Sequence, residues 1–307
     1  MRALVTGGAG FIGSHLVDRL IAEGHHVAVM DGLSTGRRDR IPPDVALHVI
    51  DIVDDREVAD VVTVCRPDVI YHLAAQISVR YSVADPVADA TTNTLGTVNL
   101  LNAATATGAR LILASTGGAM YGDGVALPTP ETCLPATLAP YGISKYCAEQ
   151  YLMLFNRLHA GRHIALRLGN VYGPRQDPHG EAGVVAIFCG HVARGETPTI
   201  YGDGKQTRDY VYVADAVDAF LAATDYVGDE AVFNIGTGDA TAVSDLLDVV
   251  NAAAGTAIEP KFAPARAGEW RHGALDSTKA AAELNWTPAT SIAAGIRRTY
   301  QLLTQNS

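Results

Sequence analysis

The sequence is poor in cysteine, tryptophan and charge. Its 307 residues include 4 Cys and 2 Trp, and charged residues make up 18% of the chain. The cysteines stand far apart, with no CxxC and no Cys/His spacing typical of zinc ligands, so we expect free thiols and no bound metal. No apolar run is long enough to cross a bilayer, and no basic leader opens the chain. These absences predict a cytoplasmic protein without a membrane segment or signal peptide.

The charge balance excludes one class of partner. The net charge is −10, so binding of nucleic acid through bulk electrostatics is not expected, and an anionic ligand would need locally placed cations or helix N-termini. Hydrophobic residues make up 48%, which is typical of a well-packed globular protein. The length favours one large domain with a smaller lobe.

The first half of the chain alternates short aliphatic runs with amphipathic helical patterns. The runs, which are typical of strands buried on both faces of a parallel sheet, lie at 3–5, 27–30, 45–50, 69–72, 111–115 and 164–168. The helical patterns cover 11–23, 87–107 and 141–158. This alternation predicts an α/β fold, a Rossmann-like doubly wound parallel sheet, over residues 1–169.

The pattern changes after residue 170. A loop rich in Gly and Pro at 172–183 precedes predicted helices at 184–194, 243–254 and 292–304 and predicted strands at 199–201, 210–213 and 232–235. We interpret residues 170–307 mainly as a smaller mixed α/β substrate-binding lobe, with segments around 209–238 returning to the first domain. One continuous domain with long insertions fits the same pattern.

A glycine-rich turn, residues 7–13 (GGAGFIG), connects the first predicted strand to a helix. Gly7 permits a tight turn, Gly10 lets the backbone approach a pyrophosphate, and Gly13 lets the helix pack close to the strand. The N–H groups of the following helix can then bind phosphate. A turn without a ligand is the alternative, but the strand–turn–helix context predicts a dinucleotide site that includes Phe11 and Ile12.

Asp31 ends the second predicted strand at roughly the 20-residue spacing of ribose-binding carboxylates. A carboxylate there accepts hydrogen bonds from ribose hydroxyls and repels a 2′-phosphate, so NAD is favoured over NADP. The nearby Arg37 and Arg38 weaken this preference slightly.

Tyr141 and Lys145 are the candidate catalytic pair. Their i, i+4 spacing places them on one face of the predicted helix 141–158. A nearby ammonium stabilises a phenolate, which makes the tyrosine a better base. Ser115 and Thr116 end a predicted strand upstream, where hydroxyls face the ligand crevice of such sheets, so either one could polarise a substrate oxygen.

These motifs resemble those of extended short-chain dehydrogenase/reductases, and within them the sugar-nucleotide epimerase/dehydratase family. The resemblance covers essentially the whole chain. Its motifs are residues 7–13, 31–36 (DGLSTG), 51–52 (DI), 72–75 (HLAA), 93–97 (NTLGT), Tyr141 with Lys145, 167–174 (RLGNVYGP), 201–204 (YGDG), 208–210 (RDY), 234–238 (NIGTG) and 266–269 (RAGE).

The resemblance implies roles for further residues. Cofactor contacts are implied for Ser34, Thr35, Gly36, Asp51, Ile52, Leu73, Ala74, Ala75 and Asn93, with Asp51 and Ile52 at the adenine and Asn93 near the nicotinamide. Substrate contacts are implied for Asn170, Thr199, Tyr201, Arg208, Arg266, Glu269 and Gly273, with Asn170, Arg208 and Arg266 at the diphosphate of UDP and Tyr201 and Glu269 at its uridine and ribose.

The resemblance is strongest to members that carry out NAD-dependent 4-epimerisation of a UDP-hexose through a transient 4-keto sugar. It therefore implies an isomerase, with a homodimer formed through the helices at 87–107 and 141–158. UDP-glucuronate 4-epimerisation or decarboxylation on the same scaffold is the alternative activity. A non-catalytic dinucleotide-binding protein is less favoured, because the chain keeps Tyr141 and Lys145.

Three positions depart from the family pattern. The family's catalytic Ser/Thr position is here Gly117, so we expect Thr116, or else Ser115, to supply the hydroxyl. Because Gly117 and Gly118 follow Thr116, the acid pair used in 4,6-dehydration is missing. Gly273 stands where a bulky tyrosine excludes N-acetyl sugars in some relatives, so we expect UDP-GlcNAc and UDP-GalNAc to be accepted.

Overall fold

A sheet of seven parallel strands forms the centre of the molecule. The computed structural model describes residues 1–178, 183–265 and 270–305. The strands of this sheet are β1 Arg2–Thr6, β2 His26–Met30, β3 Ala46–His48, β4 Val69–His72, β5 Arg110–Thr116, β6 Ile164–Leu168 and β11 Val232–Ile235. They lie in the order β11-β6-β5-β4-β1-β2-β3. Strand β4 and strand β6 are buried throughout, which explains their continuous apolarity.

Helices cover both faces of the sheet, as the doubly wound prediction requires, and this fold class is confirmed. They are α1 Phe11–Ala22, α2 Asp55–Cys65, α3 Val79–Ala84, α4 Pro86–Ala90, α5 Gly96–Thr107, α6 Pro140–His159, α8 Val213–Asp225 and α10 Thr278–Leu284. Two separate buried clusters of aliphatic and aromatic side chains fill the two faces. The strand order reverses between β1 and β4, and ligands bind in the crevice at such a reversal.

Short strand pairs and three helices build a smaller mixed α/β region beside this crevice. The strands are β7 Asn170–Tyr172, β8 Thr199–Tyr201, β9 Thr207–Arg208, β10 Tyr210–Tyr212, β12 Thr241–Ala242 and β13 Lys261–Ala263. The helices are α7 Val184–Ala193, α9 Val243–Ala254 and α11 Ile292–Gln305. They share a third buried cluster, while β11 pairs with β6 in the main sheet.

Three elements differ from the sequence-based expectations. The strand predicted at 45–50 is reduced to β3, because this edge strand has β2 as its single neighbour. The helix predicted at 87–107 is interrupted by a π-helical turn, Thr91–Leu95, whose Asn93 side chain is buried. Residues 202–208, for which no strand is predicted, end in β9, which pairs with β12. None of the helices in the described ranges is long and apolar enough to span a bilayer.

Candidate active site

The glycine turn at residues 7–13 packs against the end of β4. Gly7 has φ +70°, and a Cβ added to it would lie 2.6 Å from Ala74 N. A Cβ on Gly13 would lie 2.1 Å from Gly7 O, so α1 can start at this distance from β1 only if residue 13 is glycine. The turn therefore lies directly beside Leu73 and Ala74, in the segment 73–75 for which the family resemblance implies cofactor contacts.

Helix α1 begins at this turn without a side-chain cap in the described part of the chain. Gly10 is its N-cap residue, in extended conformation, and as a glycine it has no side chain that could cap the first turn. The N–H groups around Phe11 and Ile12 can therefore bind an anion such as a pyrophosphate. A Cβ on Gly10 would lie 3.0 Å from Gly7 O, so a side chain at position 10 would crowd the turn where the ligand is expected to bind.

Asp31 lies at the end of β2 and faces the glycine turn. Its carboxylate accepts hydrogen bonds from the backbone N–H groups of Ala9 (2.9 Å) and Leu33 (2.8 Å). A Cβ on Gly36 would lie 2.7 Å from Asp31 Oδ1, so the loop that carries the exposed Ser34 and Thr35 closes on the carboxylate. Asp31 is thus fixed and keeps lone pairs for a ribose.

The adenine end has one buried and one exposed residue. Ile52 is 4% exposed and lies under α5, where a Cβ on Gly96 would be 2.7 Å from Ile52 Cδ1. Asp51 is exposed and accepts a hydrogen bond from Val53 N (3.0 Å), which fixes the turn before α2. Both residues therefore lie beyond the carboxyl end of the neighbouring strands, where the adenine was expected.

Asn93 is buried in the π-helical turn, and its amide is fully engaged within the protein. It donates to Gln76 O (2.9 Å) and Asp89 Oδ1 (3.0 Å), and it accepts from Gln76 N (2.9 Å). A third neighbour is Ser144 of α6 (3.3 Å). Asn93 therefore holds the segment after β4 against α6, the helix that carries Tyr141 and Lys145.

The predicted pair Tyr141 and Lys145 lies on one face of α6, at the carboxyl end of β5. Lys145 Nζ donates to Ala114 O (3.0 Å). Burial lowers the pKa of Lys145 to about 8, while Asp89 and Glu149 act in the opposite direction. Burial raises the pKa of Tyr141 to about 12, and a hydrogen bond with the Thr116 hydroxyl opposes this rise. Tyr141 therefore needs added positive charge nearby to ionise near neutral pH.

The two candidate hydroxyls of β5 point in opposite directions, as successive strand residues do. The Thr116 hydroxyl faces Tyr141 and also accepts a hydrogen bond from Ala119 N (3.1 Å). The Ser115 hydroxyl instead donates to Glu149 Oε1. Ser115 is therefore not available to polarise a substrate, and Thr116 is the hydroxyl that this geometry favours.

Sequence reasoning missed a buried polar network that begins one helical turn beyond Lys145. Arg167 of β6 binds Glu149 of α6 through both carboxylate oxygens, with the shortest contact at 2.6 Å. Arg167 also donates to the Tyr121 hydroxyl (2.8 Å), which donates in turn to Asn234 Oδ1 (2.8 Å). Glu149 lies one helical turn beyond Lys145, and this spacing was the one signal in the sequence that could have revealed it.

A cavity opens at the carboxyl ends of β5 and β6, beginning at Gly117, the residue after Thr116. Its lining includes Gly117, Gly118, Tyr121, Asn170, Arg208, Asp209, Trp270, His272, Gly273 and Leu275. The Arg208 guanidinium lies 4.6 Å from the centroid of the Trp270 ring. A Cβ on Gly273 would lie 3.2 Å from Trp270 Nε1, so this tryptophan borders the space that the glycine leaves.

The structure brings together part of the predicted substrate site. Asn170, Arg208 and Gly273 line the cavity, whereas Thr199 and Tyr201 lie on β8 outside its lining. A hydrogen bond from Gln206 Nε2 to Tyr201 O (2.8 Å) links β8 to the Arg208 segment. The predicted residues Arg266 and Glu269 lie outside the described residues.

Asp209 was not anticipated from the sequence. It is 3% exposed, and its carboxylate accepts from the backbone N–H groups of Thr237 (2.8 Å), Gly238 (3.1 Å) and Leu275 (3.0 Å). Burial raises the pKa of Asp209, and these hydrogen bonds oppose the rise. The residue joins three chain segments into the floor of the cavity.

A doubly wound sheet with this glycine turn, Asp31 and the Tyr141/Lys145 pair defines an enzyme of the short-chain dehydrogenase/reductase type. Residues 3–236 match the NAD dependent epimerase/dehydratase family, and the chain belongs to that family. The cofactor of the family is NAD, and the turn and Asp31 fit it.

Relatives are similar over their full length. A UDP-glucose 4-epimerase of Mycolicibacterium smegmatis is 44% identical over 312 residues, with 100% of each chain covered. A UDP-glucose 4-epimerase of Thermotoga maritima, solved with UDP-glucose, superimposes with a TM-score of 0.97 at 45% identity and covers 100% of this chain and 99% of its own. A UDP-glucose 4-epimerase of Thermus thermophilus in complex with NAD gives a TM-score of 0.92 at 44% identity, with 98% of each covered.

Proposed function

We propose that this protein is a UDP-glucose 4-epimerase that interconverts UDP-glucose and UDP-galactose. The observation that carries the proposal is the position of Tyr141 and Lys145 on one face of α6 at the carboxyl end of β5, where Lys145 Nζ donates to Ala114 O (3.0 Å). The residues that follow β5, Gly117 and Gly118, line the cavity that Arg208 borders. The similarity to enzymes of that name, over the full length of the chain, supports the choice of substrate.

NAD would lie along the crevice between β1 and β4. The turn at residues 7–13 would bind its pyrophosphate, Asp31 its adenosine ribose, and Lys145 its nicotinamide ribose. Leu73, Ala74 and Ala75 would line the channel, and Ser34, Thr35, Gly36, Asp51 and Ile52 would border the adenosine. When bound, NAD supplies reversible hydride acceptance at the C4 carbon of the sugar.

Tyr141 is the proposed base and acid. Its phenolate would take the proton of the sugar 4-hydroxyl and later return a proton to the 4-keto oxygen, while the Thr116 hydroxyl orients both groups. The Lys145 ammonium, together with the positive charge of the cofactor, would bring the pKa of Tyr141 down towards the working range. No net oxidation results, so NAD is expected to stay bound between turnovers.

Inversion at C4 needs the sugar to turn while the nucleotide stays fixed. Arg208 and Asn170 border the cavity where a diphosphate would lie, and a guanidinium suits that ligand. Thr199, Tyr201, Arg266 and Glu269 remain predicted contacts of the nucleotide. We therefore assign residues 170–307 mainly to UDP-sugar binding and residues 1–169 mainly to NAD binding.

We also propose a homodimer that works in the cytoplasm. Large apolar side chains are exposed on α4, the π-helical turn and α6, namely Val87 (74%), Leu95 (54%), Ile143 (54%) and Tyr151 (41%). Exposed apolar groups clustered on adjacent helices are typical of protein interfaces. Sedimentation analysis tests this part, with a monomer at micromolar concentration as the contradicting result.

A panel of UDP-sugars with product analysis by NMR tests the proposed activity. Purified protein is expected to convert UDP-glucose to UDP-galactose and to reach the same equilibrium mixture from either side. UDP-GlcNAc is expected to react as well, since position 273 is glycine where a bulky tyrosine excludes N-acetyl sugars in some relatives, although Trp270 borders this space. Turnover of UDP-glucuronate alone, either as epimerisation or with loss of CO₂, would reject the proposed substrate.

A further inference from the structure

The glycine at position 117 lies against Leu275, which comes from a distant part of the chain. A Cβ added to Gly117 would lie 2.5 Å from Leu275 Cδ1 and 2.7 Å from Cδ2, well inside van der Waals contact. Gly117 cannot easily move away, because its N–H and that of Gly118 both donate to Leu168 O, at 2.8 and 3.2 Å. A side chain at position 117 therefore requires Leu275 to move.

The backbone of Leu275 is held by hydrogen bonds, and its side chain packs in a buried cluster with Met120 and Tyr121. It is 3% exposed, and its N–H donates to the buried Asp209 carboxylate (3.0 Å). Its two neighbours pair with Thr129, which donates to Ala274 O (2.8 Å) and accepts from Asp276 N (2.9 Å). On the opposite side, a Cβ on Gly236 would lie 2.7 Å from Leu275 Cβ. Well-packed side chains of this kind resist displacement.

We infer that Leu275 is a positioning residue that excludes any side chain at position 117 and so leaves Thr116 to supply the hydroxyl beside Tyr141. Positions 117 and 275 are then coupled: a hydroxyl at 117 becomes compatible with the fold only when residue 275 is small. Thr116 is fixed in its place through Ala119 N, which donates to its hydroxyl. The functional part of this inference rests on the proposed epimerase activity.

A stability cycle tests the steric part without any assay of activity. Thermal unfolding is compared for wild type, Gly117→Ala, Leu275→Ala and the double variant. Overpacking is expected to lower the melting temperature of Gly117→Ala by about 5 °C, and the same change in the Leu275→Ala background should cost little. Gly32→Ala is the matched control, because its Cβ would meet its nearest atom at 3.4 Å.

A rescue experiment tests the catalytic part. Thr116→Val is expected to lower kcat for UDP-glucose by about 100-fold, since a hydrogen bond to the reacting groups is lost. Adding Gly117→Ser to this variant should restore nothing while Leu275 is present. In the Thr116→Val/Leu275→Ala background, the same serine should raise kcat by about tenfold.

Two results would overturn the inference. One is a Gly117→Ala variant that is as stable as wild type while Leu275 is present. The other is a Gly117→Ser variant that rescues Thr116→Val equally with and without Leu275. If the wild-type protein does not epimerise UDP-glucose, the proposed function fails, and the stability cycle still decides whether Leu275 excludes side chains at position 117.

Discussion

The proposed cofactor half and the proposed substrate half of the site are built in different ways. The centre of the proposed cofactor half is local in sequence: the turn at 7–13 folds on itself, and Asp31, which bonds to Ala9 N, follows one strand later. The substrate half is assembled from segments far apart in the chain, since Gly117, Asn170, Arg208 and Leu275 meet around one cavity. In the local half, we expect sensitivity to substitution to be concentrated at a few positions of the turn. In the assembled half, we expect it to lie in the buried residues that hold the distant segments together.

The largest effect is expected in the local half, from Gly13→Ala. A Cβ there would lie 2.1 Å from Gly7 O, so the turn must open and its N–H groups can no longer converge on a pyrophosphate. We expect the purified variant to lose its retained NAD and, with it, all activity. Cofactor content after denaturation is the measurement, with Gly190→Ala in α7 as control, since a Cβ there would meet its nearest atom at 3.2 Å. Normal NAD content in Gly13→Ala would contradict the assignment of the turn.

Lys145→Met removes a charge at the junction of the two halves. Without the ammonium, the Tyr141 phenolate is less stabilised, so its pKa rises and activity shifts to higher pH. We expect kcat to fall by about 10²- to 10³-fold at pH 7 and to recover partly as the pH is raised. Lys145→Arg, which keeps the charge, is the control. If the pH profile of Lys145→Met is the same as that of wild type, Lys145 does not influence the pKa of Tyr141, and this role is contradicted.

Glu149→Gln tests whether the substrate half depends on its buried support. The Glu149–Arg167 pair has side-chain exposures of 0% and 5%, so loss of the carboxylate leaves a buried guanidinium without its counter-ion. Such a loss costs about 3–5 kcal/mol. The exposed pair Arg2–Asp68 is the control, and Asp68→Asn should cost about 1 kcal/mol or less. If urea unfolding shows that Glu149→Gln and Asp68→Asn lose the same free energy of unfolding, the structural role of the network is contradicted.

A smaller effect is expected from two buried histidines as the pH falls. Burial lowers the pKa of His72 to about 3 and that of His163 to about 4, below their ordinary value of 6.5. The unfolded chain therefore binds more protons below pH 6.5, and stability falls as the pH drops towards 4. Each histidine is expected to cost about 2 kcal/mol between pH 7 and pH 5.

Urea unfolding at the two pH values measures this acid loss. His163→Asn should reduce the difference in unfolding free energy between pH 7 and pH 5 by about 2 kcal/mol, while the exposed His26→Asn should leave it unchanged. An undiminished difference in His163→Asn would show that the acid sensitivity comes from other groups.

The same contrast explains which features the sequence could predict. Strand–helix alternation, the glycine turn, Asp31 and the i, i+4 pair on α6 are local patterns, and their physical consequences follow from spacing alone. The choice between Ser115 and Thr116 depends on which face of β5 meets α6, and the Glu149 contact of Ser115 decides it. Leu275 and Asp209 act through contacts between distant segments, which periodicity and spacing do not encode.

The most direct test of the central claim compares binding with turnover in Tyr141→Phe. The phenol is the group proposed to move the proton, whereas the glycine turn, Asp31 and Arg208 are proposed to hold the ligands. We predict that the variant retains NAD and binds UDP-glucose with near wild-type affinity, while conversion to UDP-galactose followed by NMR falls by about 10³-fold. Conversion within tenfold of wild type would contradict the assignment of Tyr141 as the catalytic base.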